Sequence, residues 1–597
     1  MLEPATRLSM HDVFRPPPGH RFAGGVLCTY SVALPTLLSI PAALLDVMDG
    51  EGETEVPANA PRLLAAARRV FDQLLVFCQE SRIHQGERAV PSLILDAESI
   101  VREVRAPGGG AFHPKLWLLR FVSRDDGTDR LRLAVLSRNL TRDRSWDVCA
   151  VLEGEPGSKP GTDTEIPALL RRLPTLCRRL SGSKEAFLKD LASRAERVVW
   201  RAPPGLSDPV LHVSGVGRTW CPPKSDRLAV FSPFLHARAL RALRKNTDRG
   251  VMLVSRPESL DAVAASGGLF EKTCILAAPD EAGDTPVPEG GIHAKVYIWD
   301  QGRRTRIAVG SANATTPALD GTNVEIMAEF DCTAALKDGG VAGVVGLVED
   351  PKLSAVLMDY TPDPAQAAAA GTRRDTRLGR RHLIDAGLSV KCRLLPDGTV
   401  ALALQAGKRL DPSVAQILPG LRFWPVTRTA ADGAACLDAL AASQPAPFSG
   451  TLELADVSGF ITFESAAPDG TETFTLNLPV EGLDEAQRRQ AVTARILPTE
   501  GSVLDFIRML LGDTAGLGAE PGGSGDGSPP RTDPGRSAPP AVLEALIRCA
   551  ADEPHRLEEL GATIDDLLRT SNSVPKGFRT LWKQVRRAAS VQSGAPL

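Results

Sequence analysis

The sequence has no apolar run approaching the roughly 18–20 residues that a membrane-spanning helix requires. Residues 1–4 carry no basic region followed by an apolar stretch, so a secretory signal is not expected. Cys-x-x-Cys pairs are also missing, and the ten cysteines are scattered along 597 residues, which is typical of buried free thiols in a reducing compartment. These absences predict a cytoplasmic protein.

Two further scarcities bear on possible partners. The net charge is only -3, so the composition neither requires nor excludes a nucleic acid, and only a local basic groove could decide. Aromatic residues make up 5% of the chain, and no basic amphipathic helix of the membrane-surface type is evident, which disfavours a lipid surface. The length itself is too great for one core and predicts roughly three to five domains.

The most informative feature that is present is a motif that occurs twice. Residues 109–115 read Gly-Gly-Ala-Phe-His-Pro-Lys, and residues 290–295 read Gly-Gly-Ile-His-Ala-Lys. Each copy is followed by an apolar strand and then by a second strand that ends in a Ser-x-Asn step. Residues 130–141 and 304–315, which cover the second strand, are identical at seven of twelve positions. The chain therefore contains two related regions.

The polar residues shared by both copies suit the chemistry of a phosphodiester. Cleavage requires a nucleophile, an acid for the leaving oxygen, and positive charge with hydrogen-bond donors around the phosphoryl oxygens. Histidine can act as nucleophile or acid near neutral pH, lysine supplies charge, and asparagine and serine supply neutral donors. One copy offers half of this set, so two copies are expected to face each other across one site. The candidate residues are His113, Lys115, Ser137, Asn139, His293, Lys295, Ser311 and Asn313.

This arrangement resembles the phospholipase D superfamily, in which a His-x-Lys-x4-Asp motif followed by Gly-Ser-x-Asn occurs twice per active site. The second copy fits this pattern with His293, Lys295, Asp300 and the run 310–313. The resemblance covers about the first 370 residues. It implies a metal-independent phosphodiesterase, for which no metal or cofactor is expected.

The first copy departs from the family pattern at two positions. Arg120 stands where the aspartate would be, and Leu136 replaces the glycine before the serine. An acidic residue follows each copy, Asp147 in Ser-Trp-Asp-Val and Glu325 in Asn-Val-Glu-Ile. The resemblance implies that these carboxylates bond the far nitrogen of each histidine, which fixes its tautomer and strengthens it as a base.

The resemblance also implies a role for each shared residue. His113 would attack phosphorus to form a phosphohistidine, while His293 would protonate the leaving oxygen and then activate water. Assigning the attack to His113 follows family habit, because the residues leave the choice open. The phosphoryl oxygens would be held by Lys115, Lys295, Asn139 and Asn313, with Ser137 and Ser311 as further substrate-binding donors.

The pattern of elements predicts an α/β fold in which mixed sheets are flanked by helices, because continuous apolar strands alternate with helical segments. Before the first motif, strands are predicted at residues 25–31, 74–78 and 92–95. The predicted domains are a first phospholipase D-like lobe at 1–205, a second lobe at 206–370 related by a pseudo-two-fold axis, a β-rich accessory domain at 383–512, a disordered linker at 513–540 and a small C-terminal helical module at 541–597.

Three functions remain open at this level. The first is a nuclease that cleaves DNA; the run 137–147 looks like that of bacterial phospholipase D-like proteins of antiphage and restriction systems, which implies a separate helicase as partner. The second is a phospholipase or phosphatidyl transferase. The third is a non-catalytic scaffold that grips nucleic acid in a defence complex, which the intact pair of histidines disfavours.

Several other residues receive plainer interpretations. The run 108–110, Gly-Gly-Gly, lacks the Lys-Ser or Lys-Thr of a P-loop and is interpreted as a turn that lets backbone and substrate approach closely. The remaining histidines are interpreted as surface or core residues, and they are His11, His20, His84, His212, His236, His382 and His555.

Overall fold

The structure is a computed structural model, and no helix in the part of the chain that it describes is long and apolar enough to cross a membrane. The described residues are 8–44, 60–159, 161, 165–178, 180–266, 268–277, 290–332, 343–369, 375–467, 470–511, 539–552, 554–571 and 573–593. The linker predicted at 513–540 lies outside them except for its last two positions, which begin a helix.

Residues 8–205 contain a six-stranded mixed sheet in the order β5-β3-β1-β6-β7-β8. The first three of these strands are parallel to one another, and β6, β7 and β8 continue the sheet in antiparallel fashion. The strands of this region are β1 (His20–Thr29), β2 (Val32–Ala33), β3 (Leu74–Gln79), β4 (Ile83–His84), β5 (Val101–Val104), β6 (Leu116–Ser123), β7 (Asp129–Leu136) and β8 (Cys149–Gly154). Its helices are α1 (Met10–Phe14), α2 (Leu34–Leu44), α3 (Ala60–Val70), α4 (Glu165–Leu176) and α5 (Gly182–Ala195).

Residues 206–369 repeat this topology. Their sheet has the order β16-β12-β11-β10-β13-β14-β15-β9, in which the six strands from β12 to β15 match the first sheet in order and direction. The strands are β9 (Leu206–Ser214), β10 (Ser225–Phe231), β11 (Thr247–Val254), β12 (Lys272–Leu276), β13 (Val296–Gln301), β14 (Arg304–Gly310), β15 (Glu325–Cys332) and β16 (Leu357–Asp359). The helices are α6 (Ala237–Lys245), α7 (Pro257–Ala262), α8 (Thr316–Leu319), α9 (Val344–Val348), α10 (Pro351–Ser354) and α11 (Pro364–Ala369). The predicted mixed α/β architecture is confirmed, while the two-fold axis between the halves stays a prediction.

The central strands β1, β6, β10 and β13 are mostly apolar and buried because both faces of each sheet are covered there. In β1, Leu27 packs into a core formed with α2 and α3, whereas its neighbours Val26 and Cys28 face a second core. That second core contains side chains from both sheets, among them Leu118 and Ile298. The two halves therefore share a hydrophobic interior, which holds the motif-bearing ends of their strands together.

One predicted strand is wrong. Residues 92–95 lie in a 3-10 helix, Ser92–Ser99, and the third parallel strand is β5, which follows it. Three consecutive apolar residues, Leu93, Ile94 and Leu95, are buried there. Such a short apolar run has the same appearance in a strand and in a packed helical turn, so periodicity could not separate them.

Residues 375–497 form the β-rich region, in two sheets. One has the order β21-β18-β17-β24, and the other has the order β2-β4-β23-β22-β19-β20, so two short strands of the first half join it. The strands are β17 (Leu388–Leu394), β18 (Val400–Ala406), β19 (Arg422–Pro425), β20 (Ala434–Ala435), β21 (Ala446–Leu452), β22 (Phe460–Ala467), β23 (Gly470–Asn477) and β24 (Val480–Glu481). The helices are α12 (Arg377–Asp385), α13 (Ser413–Ile417), α14 (Leu437–Ala441) and α15 (Glu485–Ile496).

The C-terminal part is helical, with α16 (Glu500–Leu511), α17 (Pro539–Asp552), α18 (Pro554–Thr570) and α19 (Phe578–Ser593). These helices do not form a core of their own. Phe506, Leu546 and Trp582 are buried in the same core as Leu64 of α3. The chain after the predicted linker therefore packs onto the first half of the molecule.

Candidate active site

The two His-x-Lys segments lie just before β6 and β13, and each is paired with the opposite half. The backbone N–H of His113 donates to the carbonyl of Val324 at 2.9 Å, and that of His293 donates to the carbonyl of Trp146 at 2.9 Å. Parallel bridges join Phe112 to Val324 and Trp146 to Ile292. The exchange is reciprocal, so each histidine is fixed by the segment that carries the other half's acidic residue.

The glycine three positions before each histidine makes this exchange possible. A Cβ atom at Gly110 would collide with the carbonyl oxygen of Thr322, and one at Gly290 would collide with that of Arg144. The sequence predicted a close approach at the first of these turns, but to substrate. At Gly110 the close approach is to the opposite half of the chain, whereas the Cβ positions of Gly108 and Gly109 are open.

Each histidine ring is oriented by the carboxylate of the opposite half. His113 Nδ1 donates to Glu325 Oε2 at 2.8 Å, and His293 Nδ1 donates to Asp147 Oδ1 at 2.9 Å. With the proton held on Nδ1, the lone pair of each neutral imidazole is on Nε2. The side chains of His113 and His293 keep 14% and 11% of their surface exposed, so both rings remain accessible.

The two serines orient the carboxylates. Ser137 Oγ donates to Asp147 Oδ1 at 2.7 Å and accepts from the backbone N–H of Val148 at 2.9 Å. Ser311 Oγ donates to Glu325 Oε2 and accepts from the N–H of Ile326 at 2.9 Å. Both hydroxyls are fully buried and their hydrogens are already used. The geometry thus favours a positioning role over the substrate-binding role predicted for them.

The two lysines are fully buried beside the histidines. Lys115 Nζ donates to the carbonyl of His113 at 3.0 Å; Lys295 Nζ donates to the carbonyls of His293 at 2.5 Å and Ser137 at 3.3 Å. Burial lowers the pKa of both ammonium groups, and for Lys295 the value falls to about 7. Carbonyl oxygens do not neutralise these charges, so an anion bound here would stabilise them.

The two asparagines of the motifs are unusual in the hydrogen bonding of their side-chain oxygens. The carboxamide oxygens of Asn139 and Asn313 are buried and have no hydrogen-bond partner among the described residues. Buried amide groups in folded proteins are nearly always paired. Because the same atom is unpaired in both copies of the motif, these carboxamides are free to bind a ligand between the two halves.

Burial also sets the protonation of the histidines. Desolvation lowers the pKa of His113 to about 4, with Lys115 and Lys295 adding to the effect and Glu325 opposing it. Desolvation likewise lowers the pKa of His293, against the bond from Asp147. For Asp147, burial would raise the pKa, but the hydrogen bonds from His293 and Ser137 hold it below the usual value. The resting site therefore holds neutral imidazoles, and His293 lies beside the charged carboxylate of Asp147.

The departures from the family motif are structural in effect. Asp300 is buried, accepts from Thr305 Oγ1 at 2.8 Å and from the N–H of Val344 at 3.1 Å, and so holds the turn between β13 and β14 against the segment that begins α9. Arg120, at the matching position, instead forms an ion pair with Asp129 at 2.8 Å. In both cases the residue supports the sheet, which explains why the first copy tolerates the exchange of charge.

The second copy needs a glycine at position 310 because of a close backbone contact, whereas the first copy accommodates a leucine at the matching position. A Cβ at Gly310 would collide with the carbonyl oxygen of Ile326 in the neighbouring strand, so a larger residue does not fit there. Leu136, the matching residue, is buried in the core shared with α2 and α3.

Sequence analysis missed several residues that complete the site. Asn323 donates to Glu325 Oε1 at 3.1 Å and accepts from the N–H of Ala111 at 3.0 Å, and Gln79 Oε1 accepts from the N–H of Phe112 at 2.6 Å. Asn323 stands two residues before the carboxylate, which was a usable signal. Gln79 is at the end of β3 and carries no signal in the sequence.

Comparisons with known proteins give weak likenesses. No family model and no curated protein matches the chain. Among solved structures, a mutant of yeast tyrosyl-DNA phosphodiesterase 1 is 13% identical with a TM-score of 0.35, covering 55% of this chain and 87% of that one. Yeast tyrosyl-DNA phosphodiesterase itself gives 13% identity, a TM-score of 0.32 and coverages of 54% and 87%. Polyphosphate kinase from Porphyromonas gingivalis gives 12% identity, a TM-score of 0.26 and coverages of 53% and 44%. At these TM-scores the likeness assigns no function.

Proposed function

We propose that this protein is a metal-independent phosphodiesterase that cleaves DNA through a phosphohistidine intermediate. The observation that supports this proposal is the reciprocal pair of histidine–carboxylate bonds, His113 with Glu325 and His293 with Asp147, next to two buried lysines. A simple binding surface has no use for two imidazoles whose Nε2 atoms are kept as bases. A site that attacks phosphorus and protonates a leaving oxygen needs both.

In the first step, His113 Nε2 attacks phosphorus and forms a P–N bond while the P–O bond to the leaving group breaks. His293, protonated when the anionic phosphate enters, gives its Nε2 proton to the leaving oxygen. In the second step, His293 takes a proton from water as the water oxygen bonds to phosphorus. The P–N bond then breaks and His113 leaves as the neutral imidazole. His293 releases its extra proton to solvent as the product departs, so both imidazoles return to the neutral resting state.

The charge that develops on the phosphoryl oxygens would be stabilised by Lys115 and Lys295, with the side-chain N–H groups of Asn139 and Asn313 as neutral donors. Buried cations act strongly on a bound anion because little water screens them. Lysine charge takes the part that a metal ion has in other phosphodiesterases, and the proposal therefore includes no metal.

The test is a cleavage assay in EDTA with labelled single-stranded DNA, double-stranded DNA, RNA and phospholipid vesicles. Wild type is compared with His113→Ala and His293→Ala, and His20→Ala is the matched control because His20 begins β1 at the end opposite the site. Loss of DNA cleavage in both site variants and not in the control supports the proposal. Turnover of lipid would favour a phospholipase, and DNA binding without turnover of any substrate would favour a scaffold.

The assignment of His113 as nucleophile has its own test. In His293→Asn the second step lacks its base, so a covalent adduct should accumulate on His113 and be found by mass spectrometry of the digested protein. An adduct on His293 of the wild-type protein would reverse the two roles.

We further propose a cellular role in antiphage defence together with a separate helicase, which rests on the resemblance of the run 137–147. Expressing the chain with its genomic neighbours should lower the plating efficiency of phage, and Lys115→Ala should restore it. Equal plating with and without the intact protein would contradict this role.

A further inference from the structure

An aromatic side chain borders the candidate site in the second half of the chain. Phe234 follows β10, and 46% of its surface is exposed. Its loop is rigid, because Ser232 Oγ donates to the carbonyl of Phe234 at 2.8 Å and accepts from the N–H of Ala314 at 2.9 Å. Ala314 comes directly after Asn313, so the loop that presents the ring is attached to the site.

The first half has the same loop construction. Thr29 Oγ1 donates to the carbonyl of Ser31 at 2.8 Å and accepts from the N–H of Leu140 at 3.0 Å, and Leu140 comes directly after Asn139. The aromatic residue here is Tyr30, one position earlier in the loop than Phe234. Its ring contacts the ring of His113 edge to face, with 5.1 Å between centroids.

Each aromatic ring is covered by an arginine from the loop after the next parallel strand. The guanidinium carbon of Arg82, beyond β3, lies 5.0 Å from the centroid of Tyr30. That of Arg256, beyond β11, lies 5.4 Å from the centroid of Phe234. Arg256 Nε also donates to the carbonyl of Ile292 at 2.9 Å, the residue before His293. One aromatic–arginine pair therefore contacts the ring of His113, and the other is hydrogen-bonded to the residue before His293.

Resting on the proposed function, we propose that these two pairs hold the nucleobases that flank the scissile phosphate of a single-stranded nucleic acid. Proteins that bind single-stranded nucleic acid stack the bases on aromatic rings and arginine planes, and arginine also attracts the neighbouring phosphates. A base within a duplex is already stacked on its neighbours and presents no free face.

The test measures binding and does not depend on cleavage. In the His113→Ala background, the Kd of a ten-nucleotide single strand is measured by fluorescence anisotropy in EDTA, with and without Phe234→Ala. One abasic nucleotide is then placed at each position of the strand in turn. At one position the abasic nucleotide and Phe234→Ala should each weaken binding about tenfold, and together no more than either alone. The same strand as RNA shows whether the sugar matters.

Two controls accompany this cycle. Leu394→Ala removes an apolar side chain of similar exposure (52%) from β17, and Arg249→Ala removes an exposed arginine from the opposite end of β11 from Arg256. Neither should change the Kd. A strand that does not bind, or additive losses at every position, overturns the stacking proposal. Failure of wild-type protein to cleave any nucleic acid would overturn the proposed function, and the binding cycle would still decide the stacking.

Discussion

At the scale of single residues, the carboxylates that orient the imidazoles are the clearest targets for mutation. Asp147→Asn and Glu325→Gln keep the shape of each side chain but let the amide donate, which favours the wrong tautomer of the histidine. We expect either change to lower kcat by roughly 10²–10⁴-fold, measured in the cleavage assay of the proposed function.

A matched control exists in the same strand as Glu325. Glu329 of β15 pairs with His212 Nε2 at 3.2 Å, outside the candidate site. Glu329→Gln changes a carboxylate that contacts a histidine and also pairs with Arg306, and it should leave kcat per folded molecule within about twofold of wild type. An equal loss in this control would mean that the effect is structural.

Titration of Lys295 predicts the alkaline limb of activity. Its pKa is lowered to about 7 by burial, so the ammonium is present below that pH and is lost as the pH rises through it. His113, with its pKa lowered to about 4 by burial, is neutral and nucleophilic throughout this range. We expect kcat/KM, which reports the free enzyme, to fall as the pH is raised through about 7.

Lys295→Arg tests the origin of this limb, because a guanidinium stays charged at every pH used. The variant should retain its activity, whatever its level, to higher pH than the wild type. Circular dichroism checks that the larger side chain is accommodated. A wild-type profile that is flat between about pH 6 and 9 would contradict the assignment.

The residue types of the site were predictable from the sequence because they occur twice at matching spacings. The crossing of the carboxylates was not, since Asp147 and Glu325 each follow their own motif and spacing along the chain does not say which histidine they reach. The role of Ser137 and Ser311 was equally hidden. A hydroxyl can donate to substrate or to a carboxylate, and only the fold decides.

At the scale of elements, the exchange of segments between the halves depends on two glycines. Gly110→Ala or Gly290→Ala places a methyl group against the backbone of the opposite half, and we expect each to lower the free energy of unfolding by about 1–3 kcal/mol and to reduce activity. Chemical denaturation and the cleavage assay measure the two effects.

Gly182→Ala is the control for these variants, because it lies in the first turn of α5 with open space around its Cα. It should be neutral or slightly stabilising. If Gly110→Ala and Gly290→Ala behave like this control, the close approach of the two halves does not exist in solution.

Strands with strong signals were predicted well, and short apolar runs were not. β3 coincides closely with the predicted residues 74–78, whereas β1 (His20–Thr29) overlaps the predicted 25–31 only at residues 25–29 and begins five residues earlier. Residues 92–95 look alike in composition but pack as a helical turn. Local sequence does not record which layer of the core a short apolar run will cover.

At the scale of the whole molecule, the C-terminal helices belong energetically to the first half. Trp582 of α19 is fully buried and donates from Nε1 to Asp565 at 2.9 Å. We expect Trp582→Ala to lower the free energy of unfolding by about 3–5 kcal/mol. This loss should appear in the same transition in which the first half of the chain unfolds.

Leu543→Ala, at a position of the same helical region that is 38% exposed, is the comparison and should have little effect. Hydrogen exchange measures the coupling between the C-terminal helices and α3. The amides of α3 should lose protection in Trp582→Ala and keep it in Leu543→Ala. Unchanged protection of α3 would show that the helices unfold independently, as the predicted separate module at 541–597 would. Sequence patterns predicted these helices, but their docking depends on contacts between residues about 500 positions apart, which no local pattern encodes.

The crossed histidine–carboxylate pairing has a consequence for the folding of the chain during its synthesis on the ribosome. While only the first half has been synthesised, His113 lacks the acidic partner that arrives with residue 325, and Asp147 has no imidazole to hold. The two histidine–carboxylate pairs therefore form only after the later half has been synthesised and has folded against the earlier one, so the first half alone cannot assemble the proposed site.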